Sequence, residues 1–244
     1  MSTSWPAPLQ PDVGVVIVAA GKGGRLGGAV PKQYLELGGV PMLLRAIRPF
    51  TSHPAVVHTV VVLPAADAER PPAWLAELAG GALSLVAGGA ERSDSVNHGL
   101  AALPGACHVV LVHDGARPFV DRTVIDAVIA VARGGAGAVP AIPVGDTLKQ
   151  ASAEESSHRA GEPLSRTVDR TVSRDRLYRA QTPQGFPRVL LEEAHARARQ
   201  HGVTATDDAM LVERLGASVR LVPGSARNFK VTTEEDLRMA ERLV

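Results

Sequence analysis

A glycine-rich, cationic loop is the first stretch of the sequence whose residue types suggest chemistry. The segment VVIVAAGKGGRLGGAVPKQYLELGG, residues 15–39, passes from an apolar run into glycines interspersed with Lys22, Arg25 and Lys32. Backbone amides that glycine leaves accessible, together with nearby cations, are groups that bind phosphate. Three cations suit a triphosphate, with a metal ion neutralising the remaining charge. We therefore predict that this loop holds a triphosphate.

The loop matches neither of the familiar phosphate-binding motifs. Neither Lys22 nor Lys32 falls in the frame of a P-loop, and a dinucleotide fingerprint that starts at Gly21 and Gly23 fails because Leu26 takes its last glycine position. An NAD-dependent dehydrogenase would also need an acidic residue just after the second strand, and Asp67 lies too far along the chain. A dehydrogenase is therefore a weaker alternative.

A second candidate is Asp114 in the segment VHDGARPF, residues 112–119. It follows an apolar run, and open α/β sheets bind ligands at the carboxyl ends of their strands. A carboxylate there can help to hold Mg²⁺, although a turn-capping role is the plainer alternative. For the adjacent His113 we predict packing at the strand end rather than a role as a general base.

The elements that would position these residues alternate along the chain. Short β-branched runs alternate with helical spacing, which indicates βαβ units and an α/β, doubly wound, mostly parallel Rossmann-like sheet. The predicted strands are Val13–Val18, Val56–Leu63, Leu83–Val86, His108–Val112, Ala138–Ile142 and Ser218–Val222. The predicted helices are Pro41–Phe50, Asp67–Leu78, Ser93–Leu103 and Asp121–Arg133. Ser93 and Asp94 are expected to cap the third of these, and a Thr232-x-x-Glu235 box is expected to start the last helix.

The alternation breaks between about residues 143 and 179, where the chain is polar and poor in core residues. The flanking segments DTLKQ and RTVDRT predict a β-ribbon, and the middle, ASAEESSHRAGEP, predicts a mobile tip. Such an arm cannot bury itself, so we expect it to lie on a second copy of the chain in a homodimer. A disordered linker between two domains is the weaker alternative.

Composition narrows the classes of function and location. The 244 residues carry a net charge of +1, which argues against nucleic-acid binding, and 45% of them are hydrophobic, enough for a real core. Cys107 is the only cysteine, which fits a reducing compartment. Residues 1–12 predict a disordered tail rather than a signal peptide, and no apolar run is long enough to span a membrane. We expect one cytoplasmic domain over residues 13–244.

Five motifs in order along the chain resemble the 2-C-methyl-D-erythritol 4-phosphate cytidylyltransferase family, which belongs to the nucleotidyltransferases (IspD) of the non-mevalonate isoprenoid pathway. The motifs are AAGKGGRLGGAVPKQ, GGAERSDSV, VHDGARPF, RTVDR…RAQTPQGF and TDDAMLVE…NFKVTTEEDL. The resemblance implies a reaction that joins CTP to a polyol phosphate and releases pyrophosphate, with Mg²⁺ as the metal ion. The family often has alanine where this chain has Gly115, which is a small departure.

The resemblance also implies roles for individual residues. Arg25, Lys32, Arg170 and Lys230 would be the catalytic cations, the first two on the CTP phosphates and the last two on the polyol phosphate. The residues implied in CTP binding are Ala19, Ala20, Gly21, Gly23, Arg25, Lys32, Gly89, Arg92, Ser95, Asp114 and Gly115. Those implied in polyol-phosphate binding are Asp114, Arg117, Thr147, Arg170, Thr206 and Lys230, with Asp114 as the metal ligand.

The implied chemistry needs no general base. A phosphate monoester has a second pKa of about 6, so the attacking oxygen is largely ionised at neutral pH. Catalysis then consists mainly of charge neutralisation and positioning. A cytidylyltransferase for another polyol phosphate, such as ribitol 5-phosphate, shares this mechanism and stays an alternative. A catalytically dead nucleotide sensor would have lost Arg25, Lys32 or Asp114, and all three are present.

Overall fold

A computed structural model describes residues 11–21, 31–152 and 166–244. Several predictions concern residues outside these ranges: those for Lys22, Gly23 and Arg25, for most of the N-terminal tail and for most of the arm tip. Asp12, the last residue of the predicted tail, forms an ion pair with Arg133, and its backbone bonds to Ala55 and His108. Within the described ranges, none of the helices is long and apolar enough to cross a membrane.

One large mixed sheet organises the chain. The strands are β1 (Val13–Val18), β2 (Glu36–Leu37), β3 (Val40–Pro41), β4 (Val56–Leu63), β5 (Leu83–Ala87), β6 (Val109–Asp114), β7 (Gly137–Pro143), β8 (Leu148–Ala151), β9 (Val168–Val172), β10 (Tyr178–Ala180), β11 (Gln184–Pro187) and β12 (Val219–Pro223). The sheet runs in the order β10-β7-β11-β6-β1-β4-β5, and β12 pairs with β7. The pairs β5–β4, β4–β1, β1–β6 and β12–β7 are parallel. The predicted doubly wound, mostly parallel sheet is therefore confirmed.

Helices cover both faces of the sheet. They are α1 (Met42–Thr51), α2 (Ala65–Glu69), α3 (Ala73–Leu78), α4 (Arg92–Ala101), α5 (Arg122–Arg133), α6 (Arg188–Gln200), α7 (Asp208–Arg214) and α8 (Glu234–Glu241). In β1, Val13, Val15 and Ile17 belong to the core cluster that includes α1 and α5, whereas Val16 belongs to the cluster that includes α4 and α6. Alternate side chains of the strand are thus buried on opposite faces, which explains its unbroken apolar sequence.

One reversed strand matters for the site. Strand β11 is antiparallel to β6, and Gln184 pairs with Val112 near the carboxyl end of β6. The segment that leads into β11 therefore reaches the edge of the sheet where the parallel strands end. As a result Thr182 lies beside Asp114, whose backbone amide donates a hydrogen bond to the Thr182 hydroxyl at 3.0 Å.

Three local predictions were wrong in detail. The helix predicted at Asp67–Leu78 is two helices, α2 and α3, because Pro71 and Pro72 interrupt it. Ser93 and Asp94 both lie inside α4, which starts after Glu91; only Asp94 contributes to the cap, accepting a 3.0 Å bond from the Glu91 amide. The box of the last helix lies one residue later than predicted.

The box that starts α8 pairs Thr233 with Asp236. The Thr233 hydroxyl accepts a bond from the Asp236 amide at 3.1 Å, and the Asp236 carboxylate accepts one from the Thr233 amide at 2.9 Å. Each side chain thereby satisfies a backbone amide that the first turn of a helix leaves unpaired.

The predicted ribbon is present as β8 and β9, which pair antiparallel with Lys149 opposite Thr171 and Gln150 opposite Arg170. It leaves the main sheet between β7 and β10, which pair with each other, and a bond from the Val144 amide to the Leu177 carbonyl adds to this connection. Most residues of the ribbon are exposed.

Candidate active site

A cleft lies where β1, β5 and β6 end. It has a volume of about 420 Å³. The structure brings ten of the predicted residues together in its lining: Ala19, Ala20, Gly21, Lys32, Gly89, Arg92, Ser95, Asp114, Gly115 and Lys230. Gln33, a buried residue of the short 3-10 turn Lys32–Tyr34 that sequence reasoning did not single out, also lines it.

A second cleft of about 240 Å³ adjoins the first. Predicted polyol-binding residues Arg117 and Thr206 line it, together with Gln181, Thr182, Gln184 and Asp207. Arg92, Asp114 and Lys230 line both clefts, so these three side chains form a shared wall. The geometry offers two neighbouring binding spaces for two ligands separated by charged groups.

Asp114 is the centre of this shared wall. Its Oδ2 atom lies 3.0 Å from Lys230 Nζ and 3.3 Å from Arg117 Nε, and the side chain is 12% exposed. Burial alone would raise the pKa of Asp114, but the positive charges of Lys230, Arg92 and Arg117 outweigh it and lower the pKa to about 2. The carboxylate is therefore ionised throughout the physiological range.

Lys230 reaches the wall from the segment before α8. The next residue, Val231, is fully buried, and its amide bonds to the Ala116 carbonyl at 2.8 Å, so this segment is fixed against the loop that follows β6. Arg117 is held from the other side, because it donates a 2.8 Å bond to the Asn228 carbonyl. Both cations are thus placed by packed backbone, although Lys230 lies far from Asp114 and Arg117 in sequence.

The loop between β5 and α4 packs tightly against the exit of β1. A Cβ atom on Gly88 would lie 2.5 Å from the Cβ of Ala20, and one on Gly89 would lie 2.3 Å from the Cβ of Asp94. The Ser95 hydroxyl accepts a bond from the Gly89 amide and donates one to the Glu91 carbonyl, both at 3.2 Å. Glycine is therefore required at two positions, and Ser95 holds the loop that carries them.

His113 has the packing role that the sequence predicted. It is fully buried, its ring lies 4.9 Å from that of Phe50, and its two nitrogens contact the Arg117 carbonyl and the Thr182 hydroxyl. Burial lowers the pKa of His113 to about 4.

Two predicted site residues lie away from both clefts. Arg170 and Thr147 are exposed residues of the ribbon and its approach, and Arg170 Nε donates to Gln150 Oε1 at 2.8 Å. Neither residue lines either cleft of the described chain. Sequence reasoning in turn missed Thr182, Asp208 and His195, which belong to the site by contact; two of them lie in the quoted motifs, but nothing local distinguishes them from their neighbours.

The residues that line the clefts fit a metal ion that takes one ligand from the protein and most of its ligands from a bound phosphate compound. Among the described residues, no three His, Cys, Asp or Glu side chains gather as a metal cluster. Asp114 offers one carboxylate, and its two cation contacts both use Oδ2. Mg²⁺ commonly binds through one or two carboxylates plus substrate phosphates, a pattern that a single aspartate at the triphosphate cleft can supply.

Comparisons with known proteins agree with this geometry. The family model described as 2-C-methyl-D-erythritol 4-phosphate cytidylyltransferase (IspD) matches residues 13–244. The chain is 46% identical to the enzyme of that name from Salinibacter ruber, over 94% of this chain and 91% of the relative, and 41% identical to that from Syntrophotalea carbinolica, over 94% and 95%. The crystal structure of the cytidylyltransferase from Thermus thermophilus superposes with a TM-score of 0.76 at 38% identity, covering 95% of this chain and 98% of the other.

The family match spans every strand of the sheet and both clefts, and it joins the five motifs in the order in which they occur. The chain therefore belongs to the 2-C-methyl-D-erythritol 4-phosphate cytidylyltransferase family.

Proposed function

We propose that the chain transfers a cytidylyl group from CTP to 2-C-methyl-D-erythritol 4-phosphate, giving 4-diphosphocytidyl-2-C-methyl-D-erythritol and pyrophosphate in isoprenoid biosynthesis. The observation that carries the proposal is the pair of adjoining clefts with a shared charged wall, in a chain of this family. A transferase must bring two anionic substrates together, and this wall lies where they would meet.

CTP occupies the larger cleft in this proposal. The backbone at Ala19, Ala20 and Gly21 and at Gly89 lines it, and backbone amides and carbonyls can recognise a base edge and phosphates without side chains in the way. Lys32 lies in the same cleft and would stabilise charge on the triphosphate as pyrophosphate leaves. Arg25 and Gly23 keep the roles that the sequence resemblance implies for them.

The polyol phosphate occupies the smaller cleft, with Arg117, Thr206 and Lys230 in its lining. One of its phosphate oxygens attacks the α-phosphorus of CTP, the α–β phosphoanhydride bond breaks, and pyrophosphate carries away the electron pair. No proton has to be removed from the attacking oxygen. His113, buried and with its pKa lowered, supports this account because both its nitrogens are already in contact with protein groups.

Asp114 would hold Mg²⁺ in this arrangement. When bound, the ion neutralises triphosphate charge and orients the phosphates for in-line attack. The residue itself keeps Lys230 and Arg117 in place at the wall, through its Oδ2 contacts to both. Asp114 thus has a positioning role that is independent of the metal.

A homodimer through the arm completes the proposal. Val168 on the ribbon is 53% exposed, and Leu177 and Tyr178 at its base are 38% and 48% exposed. Apolar side chains on a projecting ribbon suit burial against a second copy of the chain. Arg170 and Thr147, on the same arm, would then contribute to the polyol-phosphate site of the partner. A cytoplasmic location is also proposed, in keeping with Cys107 as a buried free thiol.

The test of the function is a direct assay. The purified chain is incubated with CTP, Mg²⁺ and 2-C-methyl-D-erythritol 4-phosphate, and pyrophosphate release is followed together with mass spectrometry of the CDP-linked product. Parallel reactions replace the acceptor with ribitol 5-phosphate or CTP with ATP. Equal or faster turnover of ribitol 5-phosphate would favour the alternative acceptor, and CTP binding without pyrophosphate release would reject the transferase.

A further inference from the structure

Arg92 stands at the boundary of the two clefts, and its position depends on a buried carboxylate behind it. Arg92 is the first residue of α4 and lines both clefts. Its Nη1 atom lies 2.8 Å from Oδ2 of Asp208; the Arg92 side chain is 28% exposed and that of Asp208 is 1% exposed. Asp208 is therefore no part of the cleft surface; it holds the guanidinium from the protein side.

A histidine holds that carboxylate in turn. His195 on α6 places Nε2 at 3.0 Å from Oδ1 of Asp208, and its own side chain is 1% exposed. Because an ionised carboxylate only accepts hydrogen bonds, His195 Nε2 must be the donor. Among the described residues, His195 Nδ1 and Asp208 Oδ2 are both buried without a partner of hydrogen-bond geometry, so the 2.8 Å contact of Oδ2 with Arg92 is an ion pair. His195 thus orients Asp208 through its Nε2 donor.

The energetics argue against a purely structural pair. Burial alone would raise the pKa of Asp208, but Arg92 and His195 together lower it, so the residue is a buried anion. Buried ion pairs contribute little net stability compared with apolar residues of similar size, because desolvation offsets the attraction. What such an arrangement does supply is a fixed place for the guanidinium, because the buried carboxylate holds its Nη1 end at 2.8 Å and leaves the other N–H donors for a ligand.

We infer that Asp208 and His195 are positioning residues that hold the Arg92 guanidinium on the wall between the two clefts, where it binds the phosphates of CTP as they meet the acceptor. The inference rests on the proposed function. It makes more specific the role in CTP binding that the sequence resemblance implied for Arg92. The Arg92–Asp208–His195 arrangement is called the guanidinium brace below.

A double-mutant cycle tests the brace. The variants are Asp208→Asn, which keeps the shape of the side chain but removes its charge, Arg92→Gln, and the two combined. Each is assayed for kcat and KM with both substrates, and CTP affinity is measured by calorimetry. If Asp208 acts through Arg92, Asp208→Asn lowers kcat/KM by about ten- to a hundredfold, as a misplaced catalytic group does. The double variant is then no worse than Arg92→Gln alone, within about twofold.

Two histidine variants add a rescue. Glutamine can place its side-chain nitrogen near the position of histidine Nε2, so His195→Gln keeps a donor to Asp208, whereas His195→Leu removes it. The brace predicts that His195→Gln retains most of the activity and that His195→Leu loses about as much as Asp208→Asn does. If His195 served only stability, the activity lost by each variant would instead be in proportion to the fall in its melting temperature.

The chain contains a control pair of the same residue types away from the site. His53 Nε2 lies 2.9 Å from Oδ1 of Asp126; the His53 side chain is also 1% exposed, that of Asp126 is 49% exposed, and neither residue lines either of the two clefts. His53→Leu and Asp126→Asn should lower the melting temperature while leaving kcat/KM and CTP affinity at the wild-type values. Comparing the activities of variants from the two pairs that have lost similar stability separates an effect on the position of Arg92 from an effect on folding.

The outcomes separate this inference from the proposed function. Two results would overturn the brace alone. One is that Asp208→Asn keeps the wild-type activity within twofold. The other is that the fold-losses of the two single variants, in kcat/KM or in CTP affinity, multiply in the double variant. A wild-type chain that binds CTP and releases no pyrophosphate would reject the proposed transfer, and the cycle measured on CTP affinity would still decide whether Asp208 acts through Arg92.

Discussion

The shared wall and the ribbon present cations in two different ways. At the wall, Lys230 and Arg117 bind a largely buried carboxylate, and Arg92 binds another that is fully buried. On the ribbon, Arg170 and Lys149 are exposed, and the contacts that they make within the described chain are to neutral partners across the two strands, at 2.8 and 2.7 Å. The wall fixes its charges within one chain, whereas the ribbon leaves its charges on an exposed surface.

This difference shows how the two halves of the site are organised. Groups that must oppose developing charge are most effective when they are oriented in advance, and burial against anions provides that orientation. The ribbon cations have no such support within the described chain. We therefore expect the wall to be complete in a single subunit and the ribbon to become effective only against a partner subunit.

The largest expected effect comes from Lys32 in the larger cleft, where we propose that CTP binds. Lys32→Ala should lower kcat by about a hundred- to a thousandfold, equivalent to about 2.7–4 kcal/mol, because it removes a cation that stabilises the transition state. The melting temperature should not change. Lys149→Ala on the ribbon is the matched lysine control and should behave like the wild type in CTP binding. Turnover close to normal in Lys32→Ala would contradict the role assigned to it.

The next test asks whether the ribbon acts on a partner subunit. Arg170→Ala should raise the KM for the polyol phosphate by about ten- to a hundredfold, leaving CTP affinity unchanged. The complementation test uses a polyol-phosphate concentration far below KM, where each variant alone has little activity. An equal mixture of Arg170→Ala and Lys32→Ala chains should then restore about a quarter of the wild-type activity, because about half of the dimers are mixed and each of these contains one intact site. If Arg170 acts within its own chain, the mixture stays inactive.

A smaller effect should appear in the pH dependence of stability. His113 has a folded pKa of about 4, below its usual value of about 6.5, so the unfolded chain binds more protons between these values. Its contribution is complete above pH 6.5 and is lost as the pH falls towards 4, at up to about 1.4 kcal/mol per pH unit.

Chemical denaturation across this pH range measures that contribution. His113→Gln should lower the free energy of unfolding at neutral pH and flatten its slope between pH 6.5 and 4. Asp114 contributes in the same direction at lower pH: its contribution is complete above its usual pKa of 3.8 and is lost as the pH falls through its folded pKa of about 2. An unchanged slope in His113→Gln would show that another group controls acid stability.

The smallest expected effects compare one substitution in the two regions. Gly88→Ala would place a Cβ atom 2.5 Å from the Cβ of Ala20 beside the larger cleft, so the loop must shift, and we expect a loss of about 1–3 kcal/mol in the free energy of unfolding. Gly145→Ala, near the ribbon, meets nothing within 4 Å and should change stability by less than about 0.5 kcal/mol. Equal losses at both positions would contradict the view that only the cleft is tightly packed.

The sequence predicts most of the sheet because a buried strand is marked by its own run of apolar residues. Six strands of the main sheet come from apolar runs long enough to be recognised as buried strands, whereas β10 and β11 were not predicted. The place of Asp114 at a strand end indicates the edge of the sheet where ligands bind. The ribbon was predicted from the loss of core residues, and its pairing is confirmed. The helix at Asp67–Leu78 was wrong because hydrophobic spacing was weighed above two consecutive prolines.

The wall resists prediction because its contacts join distant parts of the chain. In the pair Asp207–Asp208, nothing local distinguishes the two carboxylates. The structure does: Asp207 caps α7 through a bond from the Met210 amide, whereas Asp208, one residue on, is buried against Arg92 and His195. Thr182 was missed for a related reason, since its place beside Asp114 depends on the reversal of β11.

The way in which the arm joins the sheet has a consequence for modularity. Strands β7 and β10 close the base of the insertion, with Tyr178 paired to Pro143 and Val144 bonded to Leu177. The chain thus departs and returns at adjacent points, as it does around domains that tolerate exchange. We expect that joining residues 144 and 177 through a short turn leaves the sheet folded, as circular dichroism can verify, so that the arm is a replaceable cassette that could evolve separately from the domain bearing it.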